Sequence, residues 1–248
     1  MSMLIYSAFF SIAGIGKLNE DSWDCQTLDN GSCVAVVADG VGGNYGGSIA
    51  SALATSTAVQ TLQNEPTKPL KQVIAVTSNA IKNRGDEDLI SSQMATTLSL
   101  CVVENNGTVK IAHVGDSRIY HLRGKGILQK TKDQTEVAAL VEAGILSREQ
   151  AKTYPRRTVL RSALTPKGVF DIFETEFVLV NGDRIVLLSD GVYRLVTKSQ
   201  MRDLSLKSKD VEELSVALKR AIDGENDDDA TVVILEFSNL SEIHTLNG

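Results

Sequence analysis

Residues 29–62 read DNGSCVAVVADGVGGNYGGSIASALATSTAVQTL and carry, in that order, a turn, a strand, an acid, a glycine-rich bend and a helix. Asp29-Asn30-Gly31 is a hairpin signal: Asn and Gly tolerate the positive φ angles such turns demand, so the flanking strands pair antiparallel. The apolar run 33–38 has the length of a strand and ends in Asp39. Five glycines fall within 39–47, and then Ile49, Ala50, Leu53, Ala54, Thr57, Ala58, Thr61 and Leu62 recur at the three-and-four spacing of one buried helix face. A strand here delivers a carboxylate to a bend that few side chains crowd.

The same device returns along the chain. Upstream, 4–12 is rich in aromatic and branched residues and reads as a strand, followed by a loop carrying Asn19, Glu20, Asp21 and Ser22. Downstream, a helix is predicted over 70–84 with Val73, Ile74, Val76, Thr77, Ala80 and Ile81 inward. Strands are predicted at 96–103 and 109–114, split by Asn105-Asn106-Gly107, and again at 118–122. A helix over 134–144 precedes 148–164, whose mixed charge and weak periodicity read as a surface excursion. Strands at 169–178 and 184–188 flank Asn181-Gly182-Asp183, and the second ends at Ser189-Asp190-Gly191. Helices near 199–204 and over 211–222 lead through Asp227-Asp228-Asp229 to a last strand at 230–237. Strands and helices come in blocks with hairpin turns between many strands, which fits an α+β layered architecture better than a βαβ parallel sheet.

A chain of 248 residues is near the upper size of one compact domain and buries a large core without disulfides or a structural metal. Its formal charge of −6 argues against broad binding to DNA, RNA or anionic lipid, which are held by Lys and Arg. Cys25, Cys33 and Cys101 are odd in number, lack a C-x-x-C pair and are expected to be reduced thiols. The uncharged start, 1–16, lacks the basic region of an export signal and is shorter than the ~20 residues of a spanning helix. The cytoplasm is the expected location, with neither membrane nor nucleic acid as partner.

Asp21, Asp39, Asp116, Asp190 and Asp228 are far apart in sequence, yet each stands at the edge of an apolar strand. If the strands align, the acids converge, and carboxylates that close are driven toward protonation unless cations neutralise them. With no His or Cys ligand nearby, Mg²⁺ or Mn²⁺ fits such an oxygen-only set. Any one of these acids alone reads as a turn residue, because Asp bonds its own backbone; the metal reading rests on the set.

In order and over nearly the whole chain, six segments resemble the motifs of the PP2C family of metal-dependent protein phosphatases. They are Leu18-Asn19-Glu20-Asp21, Val37-Ala38-Asp39-Gly40-Val41-Gly42-Gly43, Ala95-Thr96-Thr97-Leu98, Gly115-Asp116-Ser117-Arg118, Leu188-Ser189-Asp190-Gly191 and Asp228-Asp229-Ala230-Thr231. The resemblance implies an α+β fold, a central sandwich of two antiparallel β-sheets flanked by α-helices on both faces. It implies one domain over 1–248, with a flap at about 144–164 and a frayed tail from about 238. It implies that Asp39 bridges two metals, that Asp190 and Asp228 complete one site, and that Glu20, Asp21 and the carbonyl of Gly40 serve the other. A third ion would lie between Asp116 and Asp190. The implied activity is hydrolysis of phosphoserine and phosphothreonine in phosphoproteins by a metal-bridged hydroxide, opposing a Ser/Thr kinase, in a bacterial-like monomer. The alternatives are a catalytically silent phosphoprotein-binding module of the same fold and a two-metal nuclease.

Elsewhere the sequence departs from that pattern. Gly16 stands where the family places a phosphate-gripping arginine, and the adjacent Lys17 is the nearest cation, without the planar bidentate fork. Asp133-Gln134-Thr135 replaces the usual Asp-His-Ser, and Val41 stands where some relatives carry a His, so no general acid is evident. Asp229 replaces an Asn and reads as a turn cap, His113 as a half-buried strand residue, and Arg118 as forming a structural salt bridge behind Asp116. In the flap, Arg156, Arg157 and Arg161 are the candidate contacts to an acidic phosphopeptide. The glycine bend fits neither G-x-G-x-x-G nor a P-loop, and Gly46-Gly47-Ser48-Ile49-Ala50 misses the G-x-S-x-G elbow.

Overall fold

The computed structural model describes residues 3–41, 46–88 and 91–239. Along the chain run β1 (Met3–Ile12), β2 (Asp21–Thr27), β3 (Cys33–Val41), α1 (Gly46–Asn64), α2 (Leu70–Gly85), β4 (Ala95–Thr96), β5 (Leu98–Val103), β6 (Thr108–Val114), β7 (Arg118–Arg123) and β8 (Gly126–Gln129). Then come α3 (Glu136–Glu142), α4 (Arg148–Lys152), β9 (Phe173–Val178), β10 (Arg184–Leu188), α5 (Asp190–Tyr193), α6 (Lys198–Lys207), α7 (Val211–Ile222) and β11 (Ala230–Asn239). One sheet has the order β1-β11-β10-β7-β8; the other is β2-β3-β5-β6-β9, with β4 on the end of β3. Neighbouring strands are antiparallel throughout.

Side chains alternate across a strand, and here the alternation sorts them into separate cores. In β3, Val34, Val36 and Ala38 pack under α1 and α2, while Cys33, Ala35 and Val37 enter the layer between the sheets. In β11, Val232 and Ile234 lie beneath α6 and α7, while Val233, Leu235 and Phe237 face the other sheet. Strands covered on both faces read as unbroken apolar runs, which is why 33–38 and 230–235 show no period of two. The result is the expected four-layer sandwich, helices outside and two sheets within.

Several boundaries differ from the sequence reading. The buried face of α1 is Ala50, Ser51, Ala54, Thr55, Ala58, Val59 and Leu62, turned by one position from the predicted stripe, and Ile49 and Leu53 pack only partly. Small residues let this helix approach the sheet. Val76 of α2 is exposed, and the strand predicted from 169 begins at Phe173. β11 continues to Asn239, past the expected start of the frayed tail; 240–248 lie outside the described residues, as do Gly42, Gly43 and His244. The Asn181-Gly182-Asp183 turn joins strands of different sheets, not a hairpin, since β9 pairs with β6 and β10 with β7 and β11. Cys33 and Cys101 are buried free thiols and Cys25 is half-buried. Among the described residues no helix is long and apolar enough to cross a membrane.

At one end of the sandwich backbones touch where only glycine fits. A Cβ on Gly191 would stand 2.2 Å from the carbonyl oxygen of Asp229. Gly191→Ala is therefore expected to lower the melting temperature by about 5–10 °C, the effect of an overpacking strain of ~2–3 kcal/mol in a chain of this size. A thermal melt within 1–2 °C of wild type would show that this end yields more easily than its packing suggests.

Candidate functional site

β2 and β3 pair so that Asp21 lies directly opposite Asp39. Asp116 sits in the turn from β6 to β7, Asp190 opens α5 at the end of β10, and Asp228 immediately precedes Asp229 and β11. Both sheets thus deliver acids to the same end. Asp39, Asp116, Asp190 and Asp228 line one cleft of about 490 Å³, closed on the flap side by Thr158, Val159, Leu160 and Ala163. Asp21 stands behind Asp39, where Ser189 Oγ donates to its Oδ2 at 2.6 Å across the two sheets.

The turns that hold these acids are fixed by hydrogen bonds. Asp39 N–H donates to Thr97 Oγ1 at 2.9 Å, Thr96 Oγ1 donates to Asp39 O at 3.0 Å, and Thr97 Oγ1 shares a hydrogen bond with Ser117 Oγ at 2.7 Å. The Thr-Thr strand therefore ties the Asp39 backbone to the Asp116 turn. Gly115 in that turn has φ +109° and donates its N–H to Gln134 Oε1 at 2.7 Å. Gln134, in the position of the expected His, is thus a turn support. His113 is fully buried, not half-buried; its Nε2 donates to Gly115 O and its Nδ1 accepts from Ser99 Oγ, and burial pushes its pKa down to about 4. Gly40 admits no side chain, because a Cβ there would lie 2.4 Å from Gly47 O and 2.5 Å from Glu20 O.

Asp229 is buried and accepts from Gly14 N–H at 2.8 Å and Glu20 N–H at 2.6 Å, so it anchors the loop before β2 from across the fold. Arg118 forms its salt bridge with Asp133, at 2.6 and 3.0 Å, and stacks 3.6 Å above the ring of Tyr193. The Tyr193 hydroxyl in turn donates to Asp116 Oδ2 at 3.1 Å. Arg118 therefore supports Asp116 through Tyr193, a link the sequence reading did not contain.

Burial raises the pKa of Asp21, Asp39, Asp116 and Asp190, and neighbouring acids raise each further. The Asp39 carboxyl is held well above the usual carboxylate range by burial and then by Asp21, Asp190, Asp116 and Asp228. Burial lifts Asp21 and Asp190 to about 7 and Asp116 to about 6, with the neighbouring acids adding to each. Glu20 Oε1 lies beside Gly47, at the start of α1.

Arg194, four residues after Asp190 and missed by sequence reasoning, bonds both Asp190 and Asp228 Oδ2, the latter at 2.9 Å. The i, i+4 spacing of opposite charges at a helix start was the available signal. Lys17 Nζ lies 3.6 Å from Asp228 Oδ1. Gly16 has φ +76° in a turn closed by Lys17 N–H to Gly14 O, so an arginine in its place would be strained. In the flap, Arg156 is committed to Glu136 at 2.7–3.1 Å, Arg157 lines a neighbouring cavity, and Arg161 lines neither that cavity nor the acid cleft. The cleft wall is made by the uncharged flap residues instead.

The donor set suits a hard divalent cation: it is all carboxylate oxygen, and Asp21 Oδ1 is buried without a hydrogen-bond partner. As the side chains stand, with Arg194 bridging two of the acids, no three His, Cys, Asp or Glu among the described residues close on one ion.

The chain matches the model of a family described as protein phosphatase 2C over residues 12–222. It is 29% identical over 229 residues to a protein of Listeria monocytogenes named serine/threonine phosphatase stp, covering 88% of this chain and 90% of that one. The solved Mycobacterium tuberculosis serine/threonine phosphatase PstP/Ppp superposes with a TM-score of 0.85 at 29% identity, covering 95% of this chain and 99% of that chain. A PstP catalytic domain solved with two manganese ions superposes with a TM-score of 0.82 at 28% identity, covering 96% and 100%.

Proposed function

The chain belongs to the protein phosphatase 2C family, and from that premise we propose that it is a serine/threonine protein phosphatase that hydrolyses phosphoserine and phosphothreonine in phosphoproteins with bound Mn²⁺ or Mg²⁺. The convergence of four aspartates from both sheets on one cleft, with Asp21 behind Asp39 leaving a buried carboxylate oxygen unpartnered, carries the reading. Asp39, Asp190 and Asp228, with Asp21, Glu20 and the Gly40 carbonyl, are the proposed holders of two cations, and Asp116 of a third. Cations bound there would supply neutralisation of the phosphoryl oxygens and acidification of the attacking water.

The rest falls to the chain's own groups. The Thr96 and Thr97 hydroxyls fix the Asp39 backbone, which sets the direction of its carboxylate. Lys17, exposed and beside Asp228, is the proposed contact to the substrate phosphate. Val41 lines the cleft but carries no proton, and His113 and Gln134 are fully engaged in turn support, so water is the proposed proton source for the leaving alkoxide. By inference from the relatives' class the enzyme opposes a Ser/Thr kinase, acting as a cytoplasmic monomer.

Release of phosphate from a phosphothreonine peptide, measured with Mn²⁺ and with EDTA, tests the reading. Metal-dependent turnover supports it; bound metal without turnover would favour a silent phosphoprotein-binding module. Lys17→Ala is expected to raise KM about three- to tenfold, as loss of one exposed charge contact does, with kcat retained. Unchanged kinetics would remove Lys17 from the phosphate site.

A further inference from the structure

Beside the acid cleft lies a second cavity of about 810 Å³, between the segment after β8, helices α3 and α4, and the corner at Tyr193 and Arg194. Asp116, Thr158 and Arg194 line both spaces, so the two share a wall. Its floor is apolar. Val137, Ala138 and Val141 of α3 line the cavity, and none of them is fully buried.

The rim is basic, formed by Lys132, Arg148, Lys152 and Arg157. Lys132 and Lys152 have Glu142 at 3.8 Å and Glu149 at 2.8 Å, exposed pairs that water screens. The side chains of Arg148 and Arg157 have no carboxylate partner among the described residues. Arg118 and Asp133, also in the lining, neutralise each other. Two uncompensated guanidinium groups beside an apolar floor set this face apart in a chain of formal charge −6, and such a local field selects its partner by sign.

We propose that this cavity is the docking groove for acidic residues flanking the phosphorylated side chain, so that the enzyme selects acidic phosphopeptides. The proposal rests on the phosphatase reading above. An extended peptide advances about 3.3 Å per residue, so a phosphorylated side chain in the acid cleft brings its neighbours onto the shared wall. Carboxylates there meet the guanidinium forks of Arg148 and Arg157, and the intervening apolar atoms meet α3. Arg156 takes no part, because Glu136 holds it.

The test compares two phosphothreonine peptides alike except for flanking Glu or flanking Lys, in wild type and in the double variant Arg148→Ala/Arg157→Ala. The acidic peptide is expected to have the higher kcat/KM by about five- to tenfold, carried by KM and weakened by added salt, as two exposed charge pairs predict. In the double variant the ratio is expected to fall toward one. A ratio near one in wild type, or one that survives the double substitution, overturns the groove. Binding of the same two peptides without phosphate, followed by fluorescence anisotropy, gives an independent arm. p-Nitrophenyl phosphate has no flanking residues, so failure of wild type to hydrolyse it with Mn²⁺ would indict the phosphatase reading, while the anisotropy ratio would still decide the groove.

Discussion

Asp39→Asn is expected to reduce phosphate release by about a thousandfold or more, as loss of a group on which a metal-assisted reaction depends does, while making the metal-free protein more stable. The two effects have one cause. Asp39 is half-buried, and loss of water, together with the carboxylates of Asp21, Asp190, Asp116 and Asp228, acts on it. Folding at neutral pH without cations forces this group either to keep a proton the solvent would take or to carry a charge its neighbours oppose. Asparagine keeps the shape and removes the charge. The bonds that hold this position, to Thr96 and Thr97, use main-chain atoms and survive the substitution. A residue that serves the scaffold loses stability when replaced; a residue strained for function gains it. The paired measurement is turnover with Mn²⁺ and a thermal melt in EDTA. Loss of turnover with a lower melting temperature would make Asp39 a structural residue, and retained turnover would remove it from the chemistry.

Much of this arrangement was legible in the sequence, and the exceptions have physical reasons. Strands buried on both faces announce themselves as apolar runs, which placed β3, β5, β10 and β11 closely. The end of β3 did not show: Asp39, Gly40 and Val41 are held in the strand by pairing with Asp21, Thr96 and Ala95, and Asp and Gly carry no strand preference. The short α4 lay within a stretch read as irregular, although Ser147 and Gln150 form a capping box spelled out in the sequence. The five aspartates could be picked out as strand-edge acids, but their meeting depends on register and on two sheets closing, which no local pattern encodes. Tyr193 and Ser189 act across the fold on acids placed by other strands, as Arg194 does on Asp228 beyond its local pair with Asp190. Their roles follow from packing.

Without metal, the acid cluster should make the protein less stable as pH rises from about 4 to about 7, the reverse of the usual effect of paired carboxylates. Asp21 and Asp190 titrate near 7 and Asp116 near 6 in the fold, chiefly because burial penalises their charge, against about 4 in an unfolded chain. Between those values the unfolded chain gives up protons that the native state keeps, so each unit of pH favours unfolding, and above about 7 these groups add nothing further. His113, pushed down to about 4, acts in the opposite direction over much of the same window, since the unfolded chain binds a proton that the native state refuses; His121, also lowered by burial, acts likewise. Acids held low by partners, such as Asp88 at about 2, change stability only below about pH 4. Four raised acids, Asp39 included, outweigh two histidines, and the histidines cancel when Asp190→Asn is compared with wild type. In EDTA the wild-type melting temperature is expected to lose on the order of 10 °C across this range relative to that variant. Mn²⁺ requires the ionised carboxylates, so its stabilisation should be slight at pH 5 and large at pH 7.5. Thermal melts of both proteins at those two pH values, with EDTA and with Mn²⁺, decide the matter. A Mn²⁺ shift equal at both, or variant and wild-type profiles that coincide in EDTA, would mean that these acids are neither strained in the free fold nor the place where the cations bind.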